Sequence, residues 1–224
     1  MGLFGIGLAA YWPQFEGLKR RLAGYQRIVR DRLNRFCDVV DAGLVDSAPA
    51  AAATGARFAH EGVELIICYV GTYATSSQVL PAVQNAGAPV LILNLHPVSA
   101  LDYPKTDTGE WLANCCSCCV PEIACAFARS RIDLHIVTGV LGVERGRFRE
   151  APPSHPEAQR AWEEIEGWVR AASVVSRLKR GMTNFVNRWC MEGPTHHCAL
   201  GVGHVLPVVR RIGSLLKLPY VEVE

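Results

Sequence analysis

Side chains able to hold a metal ion or react as thiols crowd into two short stretches. Residues 193–204 read GPTHHCALGVGH, with His196 and His197 side by side and Cys198 next to them. Neutral imidazole is a ligand for Mn, Fe, Zn, Ni and Cu, and two adjacent histidines rarely both face a core. The competing reading is a turn with one histidine exposed and one packed. Residues 115–119 read CCSCC, so Cys115 and Cys118 form a C-x-x-C. A tetrahedral zinc site needs a second such pair, and there is none. The cluster falls within a segment expected to be helical, where small, soft side chains let a helix approach a sheet closely. Packing is therefore the expected role of these thiols. Glu110 and Glu122 lie on the same segment, too far apart for a two-carboxylate site on one helix face, and a kink at Pro121 would redirect Glu122.

Two further patterns carry less. Gly5-x-Gly7-x-x-Ala10 fits the loose dinucleotide fingerprint. Bulky Tyr11 and Trp12, then Pro13, and the lack of an acid at the usual distance favour a close helix–strand crossing over NAD binding, so no NAD is expected. No G-x-S-x-G is present, and Ser76 and Ser77 fall at a helix start where hydroxyls serve as caps, which removes the serine hydrolase reading.

These residues must be positioned by an ordinary globular chain. It has 224 residues, 50% hydrophobic and 20% charged, with a net charge of +2. That suits one large domain or two small ones and gives no case for nucleic acid or a membrane surface as partner. The apolar start lacks a basic segment and meets Pro13 too early for a signal peptide, and Ile6 stands where myristoylation wants Ser or Thr. No run approaches the roughly 18 apolar residues of a membrane helix. A cytoplasmic protein is expected. Nine cysteines, an odd number without an export signal, then read as reduced thiols.

Apolar periodicity predicts strands at 3–9, 39–45, 64–70, 89–95 and 134–140. Between them it predicts helices at 15–37, 47–61, 75–85 and 110–130. Strand and helix alternating in this way give a parallel sheet with helices on both faces, an α/β fold of Rossmann or flavodoxin-like type. Ligands in such sheets sit at the carboxyl ends of the strands, which here are followed by residues 10–14, 71–77 and 94–103. Beyond 146 come a Pro-rich linker, a long helix at 156–179, and a tail with a helix at 205–216 and a strand at 220–223. The expected division is a Rossmann-like domain over 1–146, a linker and helix over 147–182, and a small C-terminal fragment over 183–224.

Five stretches together resemble the L-arabinose isomerase/L-fucose isomerase-like sugar isomerases: GIGLAAYWPQFEGLKRRLAGY, YVGTYATSSQVLP, PVLILNLHPVSALDY, GEWLANCCSCCVPEIACAF and GPTHHCALGVGHV. They occur in the family's order and cover most of 1–140 and 183–224. The resemblance implies metal-dependent aldose–ketose isomerisation, usually with Mn2+, in which a base moves a proton between C1 and C2 and a Lewis acid stabilises the enediolate. It implies His197, with His196 beside it, as metal ligand, and Trp12, Gln14, Tyr73, Asn94 and His96 as residues lining a site for a small-molecule sugar. It also implies a homo-oligomer, a trimer or hexamer. Relative to the family, a large internal segment is missing between about Lys179 and Thr183, and with it the family's catalytic carboxylates. Glu163, Glu164, Glu166 and Glu192 remain, none in a matching motif. The shortening is expected to leave apolar faces around Trp162, Trp168 and Trp189 without cover. The alternative is a non-catalytic sugar-binding or subunit-interaction remnant of the family.

Overall fold

A computed structural model describes residues 1–142 and 155–192. Five strands, β1 (Gly2–Ile6), β2 (Val40–Val45), β3 (Ile66–Tyr69), β4 (Val90–His96) and β5 (Leu134–Val140), form one parallel sheet in the order β2-β1-β3-β4-β5. This is the flavodoxin-like order, with its switch point between β1 and β3. The central strands are apolar without alternation because both faces are covered: every residue of β3 and nearly every residue of β4 is buried.

Alternate residues of each strand serve opposite faces. Phe4, Ile6, Ile66, Cys68, Val70, Val90 and Ile92 pack with Ala51 and Phe58 of α2 (Ala48–His60) and with Ile123 and Phe127 of α5 (Val120–Arg129). Gly5 and Tyr69 face α1 (Leu18–Leu33), whose buried side is Leu18, Leu22, Tyr25, Ile28, Val29 and Leu33. Beside α1 lies the start of α6 (Pro156–Glu192), where Ala161 packs directly onto Gly139 of β5. The short helices α3 (Ser76–Val79) and α4 (Thr108–Leu112) complete the set. Compactness divides the chain into two units, Met1–Val169 and Arg170–Glu224.

α1 is shorter than the 15–37 expected and α6 runs on to Glu192 rather than ending at 179, and three further differences bear on the site. β1 stops at Ile6 rather than 9, and residues 9–11 form a single 3-10 turn. The helix expected over 75–85 is only α3 followed by a 3-10 turn at Leu80–Ala82, because Pro81 removes a backbone donor. The helix expected over 110–130 is broken: α4 ends at Leu112, α5 starts at Val120, and residues 113–119 form turns between them. The CCSCC cluster therefore lies in a connection, not inside a helix. Pro121 in the first turn of α5 sets that start, since proline fits a first turn and breaks a helix interior.

Of the tryptophans expected to lie on uncovered faces, Trp162 is buried, with the Arg32 guanidinium of α1 stacked 4.3 Å from its ring. Trp168 remains 40% exposed but lies against the His135 ring, 4.2 Å between centroids. The Trp189 side chain lies outside the described residues. Cys37, Cys68, Cys115, Cys116, Cys118, Cys119 and Cys125 are free thiols. No described helix is long and apolar enough to cross a membrane.

Candidate functional site

The connections that follow β1, β3 and β4 meet at the carboxyl edge of the sheet, and the turns between α4 and α5 join them. Each is fixed by a specific contact. After β1, Trp12 is pinned on two sides. Its indole Nε1 donates to Asp46 Oδ2 at 2.7 Å, and its ring lies so close to Gly7 that a Cβ there would sit 2.8 Å from Cζ2. Lys19 Nζ donates to the same Asp46 oxygen at 3.0 Å. Partial burial pushes the Asp46 carboxyl up, but the bonds from Trp12 and Lys19 outweigh it and hold the group below its usual range. Gly5, the other glycine of the fingerprint, lies under Gln26 of α1, where a Cβ would meet Oε1 at 2.5 Å. Both glycines thus serve close approach of side chains to β1. Gln14 is exposed and folds back to donate from Nε2 to the Ala10 carbonyl at 2.6 Å.

After β3, Tyr73 is half-buried, and its hydroxyl donates to Glu122 Oε2 at 3.3 Å. The other Glu122 oxygen accepts the Ser76 backbone N–H at 2.8 Å. That bond lowers the Glu122 carboxyl below its usual range, while the Glu122 charge raises the Tyr73 phenol. Glu122 thus caps the start of α3 from another helix, which the spacing along its own helix could not reveal.

At the end of β4, Asn94 is buried and fully engaged. Its Nδ2 donates to Thr138 Oγ1 of β5 at 3.2 Å, its direct partner in register. Its Oδ1 accepts the Ser117 hydroxyl at 3.1 Å. Ser117 Oγ also lies 2.6 Å from His96 Nε2. Asn94, Ser117 and His96 therefore form one connected group with Ser117 at its centre, and Ser117 and Thr138 are its exposed members. Burial lowers the His96 imidazole below its ordinary value, against an opposing bond to the Asn114 backbone, so the ring is neutral at pH 7. Thr72 Oγ1 and Asn114 Oδ1, both buried, have no hydrogen-bond partner among the described residues.

The turns carrying Ser117 are held over this edge from both ends. Arg21 of α1 grips Glu110 of α4 with both guanidinium arms, at 2.5 and 3.0 Å, and Tyr25 receives the Arg21 Nε–H at 2.7 Å. Asn114 Nδ2 donates to the Glu110 carbonyl at 2.9 Å. At the other end, buried Cys119 places its Sγ 3.5 Å from the Thr72 carbonyl. Burial pushes the Cys116 and Cys119 thiols up to about 12 and raises the Cys115 thiol as well, so these three are protonated. The Tyr11 phenol is raised by burial and by the nearby Cys115, Tyr73 and Cys118.

Four of the expected sugar-site residues, Trp12, Tyr73, Asn94 and His96, thus lie at one edge of the sheet, and Asn94 and His96 share a partner. Gln14 follows Trp12 on the same connection but faces solvent. Ser117, Thr138 and Asp46 were not legible as site residues. Ser117 was the one hydroxyl among four thiols, which is the only signal that could have singled it out. His196 and His197 lie outside the described residues. Among the described residues no group of three or more His, Cys, Asp or Glu could hold a metal ion. No protein-family model and no curated protein matches the chain.

Proposed function

We propose that the chain is a sugar isomerase-like protein of the L-arabinose/L-fucose type and that the carboxyl edge of its sheet receives the sugar. The observation that carries this reading is the connected Asn94–Ser117–His96 group beside Thr138, at the strand ends where ligands of such sheets bind. Sugar hydroxyls each donate and accept. An amide, two hydroxyls and a neutral imidazole match them with donors and acceptors and no net charge. Isomerisation further needs a base for the C2 proton and a Lewis acid for the enediolate. The family resemblance assigns Mn2+ or another divalent metal to His197 and His196, which lie outside the described residues, and in this reading the described site binds and orients the sugar. A homo-oligomeric state, trimer or hexamer, and a cytoplasmic location belong to the same reading.

The test is calorimetric titration of the full chain with L-arabinose and L-fucose, with and without Mn2+, alongside an assay for ketose formation. Binding that weakens in Asn94→Ala, together with turnover, supports the isomerase. Binding without turnover supports the second reading, a non-catalytic sugar-binding relative, which is favoured by the lack of any carboxylate in a motif matching the family's catalytic ones. Absence of binding to any aldose overturns both.

A further inference from the structure

We infer that Cys115 and Cys118 form a redox-active dithiol that low-molecular-weight disulfides of the glutathione class oxidise to an intrachain disulfide. The two Sγ atoms lie 2.8 Å apart, so reaching the ordinary S–S bond of about 2.05 Å takes less than an ångström of travel. The pair lies in turns between two helices, where the backbone is free of a helical ladder and can absorb that movement. Its two members have different access. Cys118 is exposed and meets a reagent from solvent, whereas Cys115 is buried beneath it. That is the division between an attacking and a resolving thiol. The neighbours do not compete in the same way, since Cys116 and Cys119 are buried and directed to the Asn114 and Thr72 carbonyls.

The chemistry balances with the oxidant alone. The Cys118 thiolate attacks one sulfur of the small disulfide, forming a mixed disulfide and expelling one thiolate. Cys115, protonated at rest, loses its proton as it attacks the Cys118 sulfur, and that proton passes to the second thiolate as it is expelled. The two protons of the protein thiols pass to the two leaving thiolates. The protein pair is oxidised by two electrons and the small disulfide is reduced to two thiols.

The site is independent of the proposed function, but its location couples it to the same edge of the sheet. Ser117 is inside the C-x-x-C and holds Asn94 and His96.

The test is equilibration of the full chain in reduced and oxidised glutathione at varied ratio, followed by thiol counting under denaturing conditions and disulfide mapping by tandem mass spectrometry. The expected result is a loss of two thiols per chain, mapped to Cys115–Cys118. This loss disappears in Cys118→Ser and in Cys115→Ser and persists in Cys125→Ser, an exposed control. Retention of all thiols in oxidising buffer, or a loss of two that survives Cys118→Ser, overturns the proposal. Because Cys118 is exposed, its serine variant is expected to fold, and a circular dichroism melt matching the unsubstituted chain verifies that. None of these readouts involves a sugar, so failure here leaves the isomerase reading standing, and failure of sugar binding leaves the dithiol standing.

Discussion

Ser117 shows how much one hydroxyl can do when two side chains share it. It is exposed, so its removal hardly touches the core, yet it joins Asn94 and His96. Ser117→Ala is expected to leave the denaturation midpoint nearly unchanged. In the proposed reading it should weaken sugar binding roughly tenfold, the loss of about one good hydrogen bond, as read by calorimetry. His96 gives a second, pH-dependent expectation. Its folded-state value is depressed by burial, so as pH falls the unfolded chain takes up the proton first. Stability from neutral His96 is whole above the unfolded value near 6.5 and is lost as pH falls from there through the lower folded value. Urea midpoints measured at neutral and mildly acidic pH should drop more for the unsubstituted chain than for His96→Gln. An equal drop in both would remove His96 from the account.

At the scale of elements, the decisive feature is the break between α4 and α5. Had residues 108–129 been one helix, the thiol cluster would have spread around a cylinder, and Ser117 could not reach β4. The break is held open by the Arg21–Glu110 fork, which ties α4 to α1 across 89 residues of sequence. The two side chains are only 24% and 18% exposed, so solvent screens this pair less than an ordinary surface ion pair. Glu110→Gln is expected to cost about 1–2 kcal/mol of stability. Faster amide exchange should be confined mainly to α4 and the turns after it. Uniform acceleration across the sheet would mean that the fork supports the whole fold rather than this connection.

At the scale of the molecule, the flavodoxin-like order gathers the connections after β1, β3 and β4 on one edge while the central strands beneath stay buried. A metal, in the proposed reading, is added by the histidines at the far end of the chain. Mn2+ is therefore expected to raise the melting temperature of the full chain by a few degrees, as any ligand preferring the folded state does. The rise should vanish in His197→Ala while sugar binding in the absence of metal persists. A Mn2+ effect undiminished in both His197→Ala and His196→Ala would move the metal elsewhere.

The amino-acid sequence by itself determined the layers. Largely apolar runs such as 64–70 and 89–95 read as strands covered on both faces, and the amphipathic stretch over 15–37 reads as a helix lying on them. These follow from local periodicity, which a chain carries whether or not it is folded. The placing of segments 10–14, 71–77 and 94–103 at one edge was legible for the same reason, since the alternation of strands and helices fixes where the carboxyl ends point. The choice of Trp12, Tyr73, Asn94 and His96 within them came from the family resemblance. Tertiary structure alone decided which of those residues share partners. Asn94 meets Thr138 through register, Ser117 reaches both Asn94 and His96 through a broken helix, and Glu122 caps a helix in another part of the chain. Such bonds join residues far apart in sequence, and their distances depend on packing that no local pattern encodes.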